Sequence, residues 1–154
     1  MSDIALLFDP IDGPDIAIDA GGLQLDEGLR TAILISLFSD ARAPEGADLP
    51  HADADRRGWW GDAFPRDVDA GPADGAIGSL LWLLERGKIT PAEIARARDA
   101  AYSALRWIVT DRIASAIRVD VEAQERERIA LSVQLDRPTG PARQRYDFVF
   151  GASA

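Results

Sequence analysis

The chain has 154 residues, 47% of them hydrophobic, with four tryptophans, one histidine, no cysteine and a formal net charge of −9. That length suits one domain with its own core, and the lack of cysteine excludes disulfides and thiolate chemistry. Acidic residues spread from Asp3 to Asp147 repel phosphate backbones, which argues against direct nucleic-acid binding. No run approaches the roughly 20 apolar residues of a membrane-spanning helix, and Met1-Ser2-Asp3-Ile4 lacks a basic start, so neither membrane insertion nor a signal peptide is expected.

Residues 3–25 read as short extended pieces broken by turns. Ile16 and Ile18 alternate with Asp15, Ala17 and Asp19, and Ala20-Gly21-Gly22 permits a reversal before Leu23 and Leu25, which predicts a small hairpin. Asp26 is a candidate N-cap with Glu27 in the first turn. The following run, 29–41, is apolar on nearly every side and predicts a buried helix.

Residues 42–78 are rich in proline and glycine with no sustained period, far beyond the usual connection of about 4–6 residues. Helicity is expected again over 79–85. Thr90-Pro91-Ala92-Glu93 then reads as a capping box, with Pro91 at the first helical position where its missing N–H is tolerated. Ile94, Ala97, Ala101, Leu105, Ile108, Val109 and Ile113 recur at three- and four-residue steps, predicting one long amphipathic helix to about residue 116.

The period then changes to two. Ile117, Val119, Val121 and Ala123 alternate with polar residues, as do Ile129, Leu131, Val133 and Leu135, and Tyr146, Phe148 and Phe150 close the series. The turns fall at 125–128 and 138–141. The predicted fold class is therefore α+β: a buried helix, a long loop and a long amphipathic helix packed on a small antiparallel C-terminal meander, with short N-terminal strands, in one domain over 1–154.

A catalytic or metal site should show residue types at useful spacings, and the search for one fails. His51 has no second histidine and no cysteine to join it at a zinc ion. The string from Asp53 resembles the opening of a calcium loop, but Arg57 and Phe64 occupy positions that need oxygen ligands. Gly75-Ala76-Ile77-Gly78-Ser79 lacks the lysine of a phosphate loop. Glu27 and Glu85 sit near helix ends, where carboxylates are common, and Ser36, Ser79 and Ser103 have no histidine at a suggestive spacing. No enzyme activity, cofactor or metal is expected.

The aromatics carry more information. Trp82, flanked by leucines, and Trp107 read as core. Trp59 and Trp60 lie in the irregular loop beside Arg56 and Arg57. They either plug the domain's own surface or anchor a neighbouring subunit, since tryptophan and arginine are enriched at interface hot spots. The candidate interface comprises Arg56, Arg57, Trp59, Trp60 and Asp62, together with Arg145, Tyr146, Asp147, Phe148, Val149 and Phe150 of the last strand, which ends a meander and leaves an edge open.

The order of these blocks resembles the gene-product-forty-six family of Mu-like phages and prophages. They are an Asp-Ile-Ala-Leu strand at 3–6, a helix of pattern Leu-x-Thr-Ala-Ile-Leu-Ile-Ser-Leu-Phe-x-Asp-Ala-Arg at 29–42, Arg-Arg-Gly-Trp-Trp-Gly-Asp at 56–62, Gly-Ser-x-Leu-Trp-Leu-Leu at 78–84 and a meander at 118–150. Leu80 departs from the arginine of that fourth pattern. The resemblance implies a structural protein of the contractile-tail baseplate, similar to the wedge component that joins the inner baseplate to the tube and first sheath ring. Such a protein assembles in the host cytoplasm, in several copies, with other baseplate subunits and with sheath or tube proteins, in the virion tail. Two alternatives stand beside it: a lysozyme-like peptidoglycan hydrolase, which needs two carboxylates about 5–9.5 Å apart across a cleft, and a cytoplasmic adaptor.

Overall fold

The computed structural model describes residues 3–9, 13–26, 28–51, 55–63, 76–85, 89–124, 128–138 and 143–151. Glu27, residues 52–54 and 64–75 of the long loop, and most of both meander turns lie outside the described residues.

The N-terminal segment forms three short antiparallel ladders rather than one hairpin. Strand β1 (Asp3–Ile4) pairs with β6 (Leu25–Asp26), β2 (Leu6–Asp9) with β3 (Gly13–Ile16), and β4 (Ile18–Asp19) with β5 (Gly22–Leu23). Where they meet, Ala5 N donates to Gln24 O (2.8 Å), Gln24 N to Ala17 O (2.9 Å) and Ala17 N to Ala5 O (2.9 Å). This closed ring lets three bent segments satisfy one another's backbone groups without a continuous sheet. Ala17, 1% exposed, fills the centre. The expected reversal at Ala20-Gly21 is the β4–β5 turn, held by Gly21 N donating to Asp19 Oδ1 (2.7 Å).

This arm is tied to helix α1 (Arg30–Phe38) by two side chains. The hydroxyl of buried Thr31 donates to Ile4 O (2.8 Å) and accepts from Leu6 N (3.2 Å). Asp26 accepts from Gly28 N (2.9 Å) and Thr31 N (2.8 Å), satisfying amides at the helix start. Asp26 therefore does the work of a cap from outside the cap position, which Leu29 occupies without a side-chain bond. The helix is shorter than the apolar run because the backbone turns extended at Ser39 and leaves to pair with Ser79.

The helix expected over 79–85 is a single 3-10 turn at Leu81–Leu84. Helix α2 (Pro91–Leu105) begins as its sequence requires, Thr90 Oγ1 accepting from Glu93 N (3.2 Å). The Glu93 carboxylate bonds Arg96 (3.0 Å) instead of reaching back, so half of the capping box is used. The long helix expected to 116 stops earlier. It breaks at Arg106, continues as α3 (Trp107–Thr110) and closes with Ile113 N donating to Ile108 O (2.9 Å) and Arg112 N to Val109 O (3.0 Å). That paired pattern is a Schellman closure, and Arg112 takes its left-handed position with φ 59°.

Strands β7 (Ala116–Gln124), β8 (Arg128–Asp136) and β9 (Arg143–Gly151) form the meander in the order β7-β8-β9. Val119, Val121, Ile129, Leu131, Val133, Leu135 and Phe148 turn inward, as the period-two reading requires, while Ala123 lies beyond the covered face and is exposed. Ile33, Leu34, Leu37, Leu81, Ala97, Ala101, Leu105 and Ile108 complete one core between helices and sheet. The small Ala97 and Ala101 let α2 approach closely. Half-buried Trp107 donates to Ser36 Oγ (3.1 Å), which donates in turn to Ala32 O (2.8 Å).

Candidate assembly interface

Two arginines, Arg56 and Arg57, hold the described part of the long loop in place. Ala43 N donates to Arg56 O (2.9 Å), and the Arg56 guanidinium returns two bonds to Ala43 O (2.9 and 2.6 Å), closing the loop on itself. Arg57 lies with its guanidinium 4.4 Å from the ring centroid of buried Trp82. It bonds Asp40 (2.9 Å) and both oxygens of Glu85 (3.3 Å each). Trp82 donates its indole N–H to Ala41 O (2.9 Å), so the platform is itself fixed. Burial works to lower the pKa of Arg57, but the Glu85 hydrogen bond and the charges of Asp40 and Glu85 outweigh it and raise it above the ordinary arginine value.

Two glycines make the approach possible. Gly58 has φ 104°, and a Cβ there meets Arg42 Cβ at 2.7 Å. Gly78 has φ 103°, and a Cβ there meets Ser39 O at 2.5 Å and Ala41 N at 2.8 Å. Next to it, the Ser79 hydroxyl donates to Leu37 O and accepts from Leu81 N (3.1 Å). Asp62 accepts from Ile77 N with both oxygens (3.2 Å each), tying the middle of the loop to its end.

Trp59 and Trp60, joined in the sequence reading, differ in the structure. Their rings are 5.4 Å apart at a 48° tilt. The Trp59 ring lies against Gly61, where no side chain fits, and is 41% exposed; Trp60, which opens a 3-10 turn (Trp60–Ala63), is 74% exposed. The loop thus brings Arg56, Arg57 and Asp62 inward as ties and presents Trp60 outward.

The last strand has a different organisation. Phe148 is buried and Tyr146 and Phe150 pack against the core, with Phe38 edge-on to Phe148 (5.8 Å) and Phe150 (6.2 Å). Arg30 lies over the Phe148 ring at 5.2 Å. On the other face Arg145 pairs with Asp147 (2.9 Å), and although burial opposes it, that bond helps hold the Asp147 pKa below the ordinary carboxylate value. Among the described residues no strand pairs with the outer side of β9. The ties described for the loop cluster run to Asp40, Ala43, Ile77, Trp82 and Glu85, and those described for the last strand to β8, Arg30 and Phe38.

Asp40 and Glu85, two carboxylates that share one cation, are both committed to Arg57. His51 is exposed, and among the described residues no group of three or more metal-ligating side chains gathers. No described helix is long and apolar enough to cross a membrane.

A family model described as phage protein GP46 matches residues 29–142. The chain belongs to that family. It is similar to baseplate protein gp46 of Escherichia phage Mu, with 41% identity over 140 residues, covering 91% of this chain and 90% of the relative. It is likewise similar to Mu-like prophage FluMu protein gp46 of Haemophilus influenzae, with 35% identity over 145 residues and 94% of each chain. No solved structure matches. The expected family is thereby shown, and with it a structural role in the phage baseplate and a place in the virion.

Proposed function

We propose that this baseplate protein is a wedge subunit that joins the inner baseplate to the start of the tube and sheath, binding other baseplate subunits through two surfaces of a single domain. The observation that carries the reading is β9. It is a nine-residue edge strand, anchored on one face by Tyr146, Phe148 and Phe150, whose outer row of N–H and C=O groups lacks a strand partner among the described residues. In an antiparallel ladder every second N–H points away from the existing partner, so an incoming strand from a sheath or tube protein completes the row by β-augmentation. Hydrogen exchange tests this directly. Alternate amides from Arg143 to Gly151 should exchange fast in the isolated protein and become protected in purified particles; equal exchange in both states sinks the role of this edge.

The second surface is the tip of the 42–78 loop. Trp60 is a large exposed indole on a backbone held by the two arginines and Asp62. Pre-ordered aromatic side chains of this kind make effective anchors. Trp60→Ala should change the stability of the isolated protein by less than about 1 kcal/mol while strongly reducing its incorporation into particles. Melting curves and quantitative mass spectrometry of particles give the two readouts, and unimpaired incorporation removes Trp60 from the interface.

A further inference from the structure

We infer that the N-terminal arm, residues 3–26, is a third docking surface, and that it fits an apolar surface rimmed by lysine or arginine on a different protein of the baseplate. This rests on the baseplate reading above and adds the chemistry of one partner.

The two outer ladders of the arm each have an apolar and an acidic face. Ile4 stands opposite Leu25 in the β1–β6 ladder, and Ile18 opposite Leu23 in the β4–β5 ladder. Residues directly opposite share a face, so each ladder presents one apolar cross-strand pair. All four side chains are exposed, Ile18 to 74% and Leu25 to 59%. In the middle ladder Leu7 stands opposite Asp15 and Ile16 opposite Leu6, so the exposed Leu7 and Ile16 lie on opposite faces and flank the apolar pairs rather than extend one face. On the reverse faces Asp3 stands opposite Asp26, and Asp19 opposite Gly22. Ladders of two residues have little intrinsic stability, and exposing four large aliphatic side chains on them opposes it further. Such an arrangement is explained by a surface that covers it.

Charge selects the occupant. The first 29 residues hold six aspartates and one glutamate with no lysine or arginine, while the other 125 carry a net charge of only −2. A second copy's arm would bring six more aspartates against these six, and the rest of a second copy offers no net positive field. Nucleic acid and anionic lipid are repelled for the same reason. A groove of aliphatic side chains edged by basic residues satisfies both sides of the arm, burying the apolar pairs while meeting Asp3, Asp15 and Asp19 at its rim. The arm's fixed footing on Thr31 and Asp26 sets its position relative to the core.

The test places a photo-crosslinking benzophenone amino acid at position 18, in particles assembled in the host, and identifies the joined peptide by mass spectrometry. The expected product is a peptide of another particle protein that has lysine or arginine close to aliphatic residues. A product within this chain, a product on an acidic segment, or no product overturns the inference. If wild-type chain is absent from purified particles, the baseplate reading itself has failed, and the two failures are distinct. The triple variant Asp3→Asn, Asp15→Asn, Asp19→Asn keeps the side-chain acceptors that these residues offer to Ile4, Ile16 and Gly21 and removes only charge. It should reduce the copies per particle about tenfold, the ratio given by about 1.4 kcal/mol, with an unchanged melting temperature. Undiminished incorporation overturns the basic partner, and sedimentation of the isolated protein as an arm-dependent dimer overturns the heterologous one.

Discussion

Gly78→Ala is expected to destabilise the protein by about 3 kcal/mol, lowering its melting temperature by roughly 6–12 °C for a chain of this size. Two separate costs add here. At φ 103° an L-residue is strained, a penalty of order 1–3 kcal/mol. The new methyl also meets Ser39 O at 2.5 Å and Ala41 N at 2.8 Å, and both are backbone atoms that hold the Asp40–Ser79 bridge and have no rotamer to yield. The bridge places the 3-10 turn with its buried Trp82 and with Leu81 and Leu84 against the core, so the effect reaches beyond the loop. Gly46→Ala separates the two costs. Gly46 also has positive φ, 80°, but no atom lies within 4 Å of an added Cβ, so it should lose only about 1 kcal/mol. Thermal unfolding of the two variants side by side checks the difference, and equal losses would show that the close contact contributes nothing.

What the sequence discloses divides by range. The meander is legible because strand alternation is local: Ile129, Leu131, Val133 and Leu135 are each buried to within 1% of full burial, and their neighbours are not. The start of α2 is legible because Thr90, Pro91 and Glu93 act within one turn. The end of the helix is not, because Arg112 adopts the left-handed conformation that glycine usually marks, and nothing in its identity announces that. In the arm the hairpin at Ala20-Gly21-Gly22 is legible, but the other two ladders are not, because they are two to four residues long and closed by a ring of bonds among Ala5, Ala17 and Gln24, three residues with no common signal. At the candidate interface, Arg56 and Arg57 beside Trp59 and Trp60 look like one hot spot in sequence. The structure separates them because Arg57 finds Asp40, Trp82 and Glu85 from segments 17 to 28 residues away, and that convergence is tertiary.

Arg57 is the position where that convergence is measurable. Arg57→Ala removes a guanidinium stacked on Trp82 and leaves Asp40 and Glu85 without the cation they share. Stacked and bridged cations of this sort contribute about 1–2 kcal/mol, and the side chains are 34%, 42% and 43% exposed, so solvent screening keeps the loss at the low end. Arg57 also has φ 50°, a left-handed conformation that alanine tolerates no better. Arg57→Gly removes the same contacts but relaxes that backbone, recovering on the order of 1 kcal/mol. The order of stability should therefore be wild type, then Arg57→Gly, then Arg57→Ala. Arg57→Lys should fall below wild type as well, since a single ammonium cannot lie flat on the indole and reach both carboxylates at once. Raising the salt concentration should narrow the gap between wild type and Arg57→Ala, because the ion-pair part is screened while the stacking part persists. A gap unaffected by salt, with Arg57→Gly as unstable as Arg57→Ala, would show that the residue acts through packing alone and that neither the two carboxylates nor the strained backbone contributes to holding the loop.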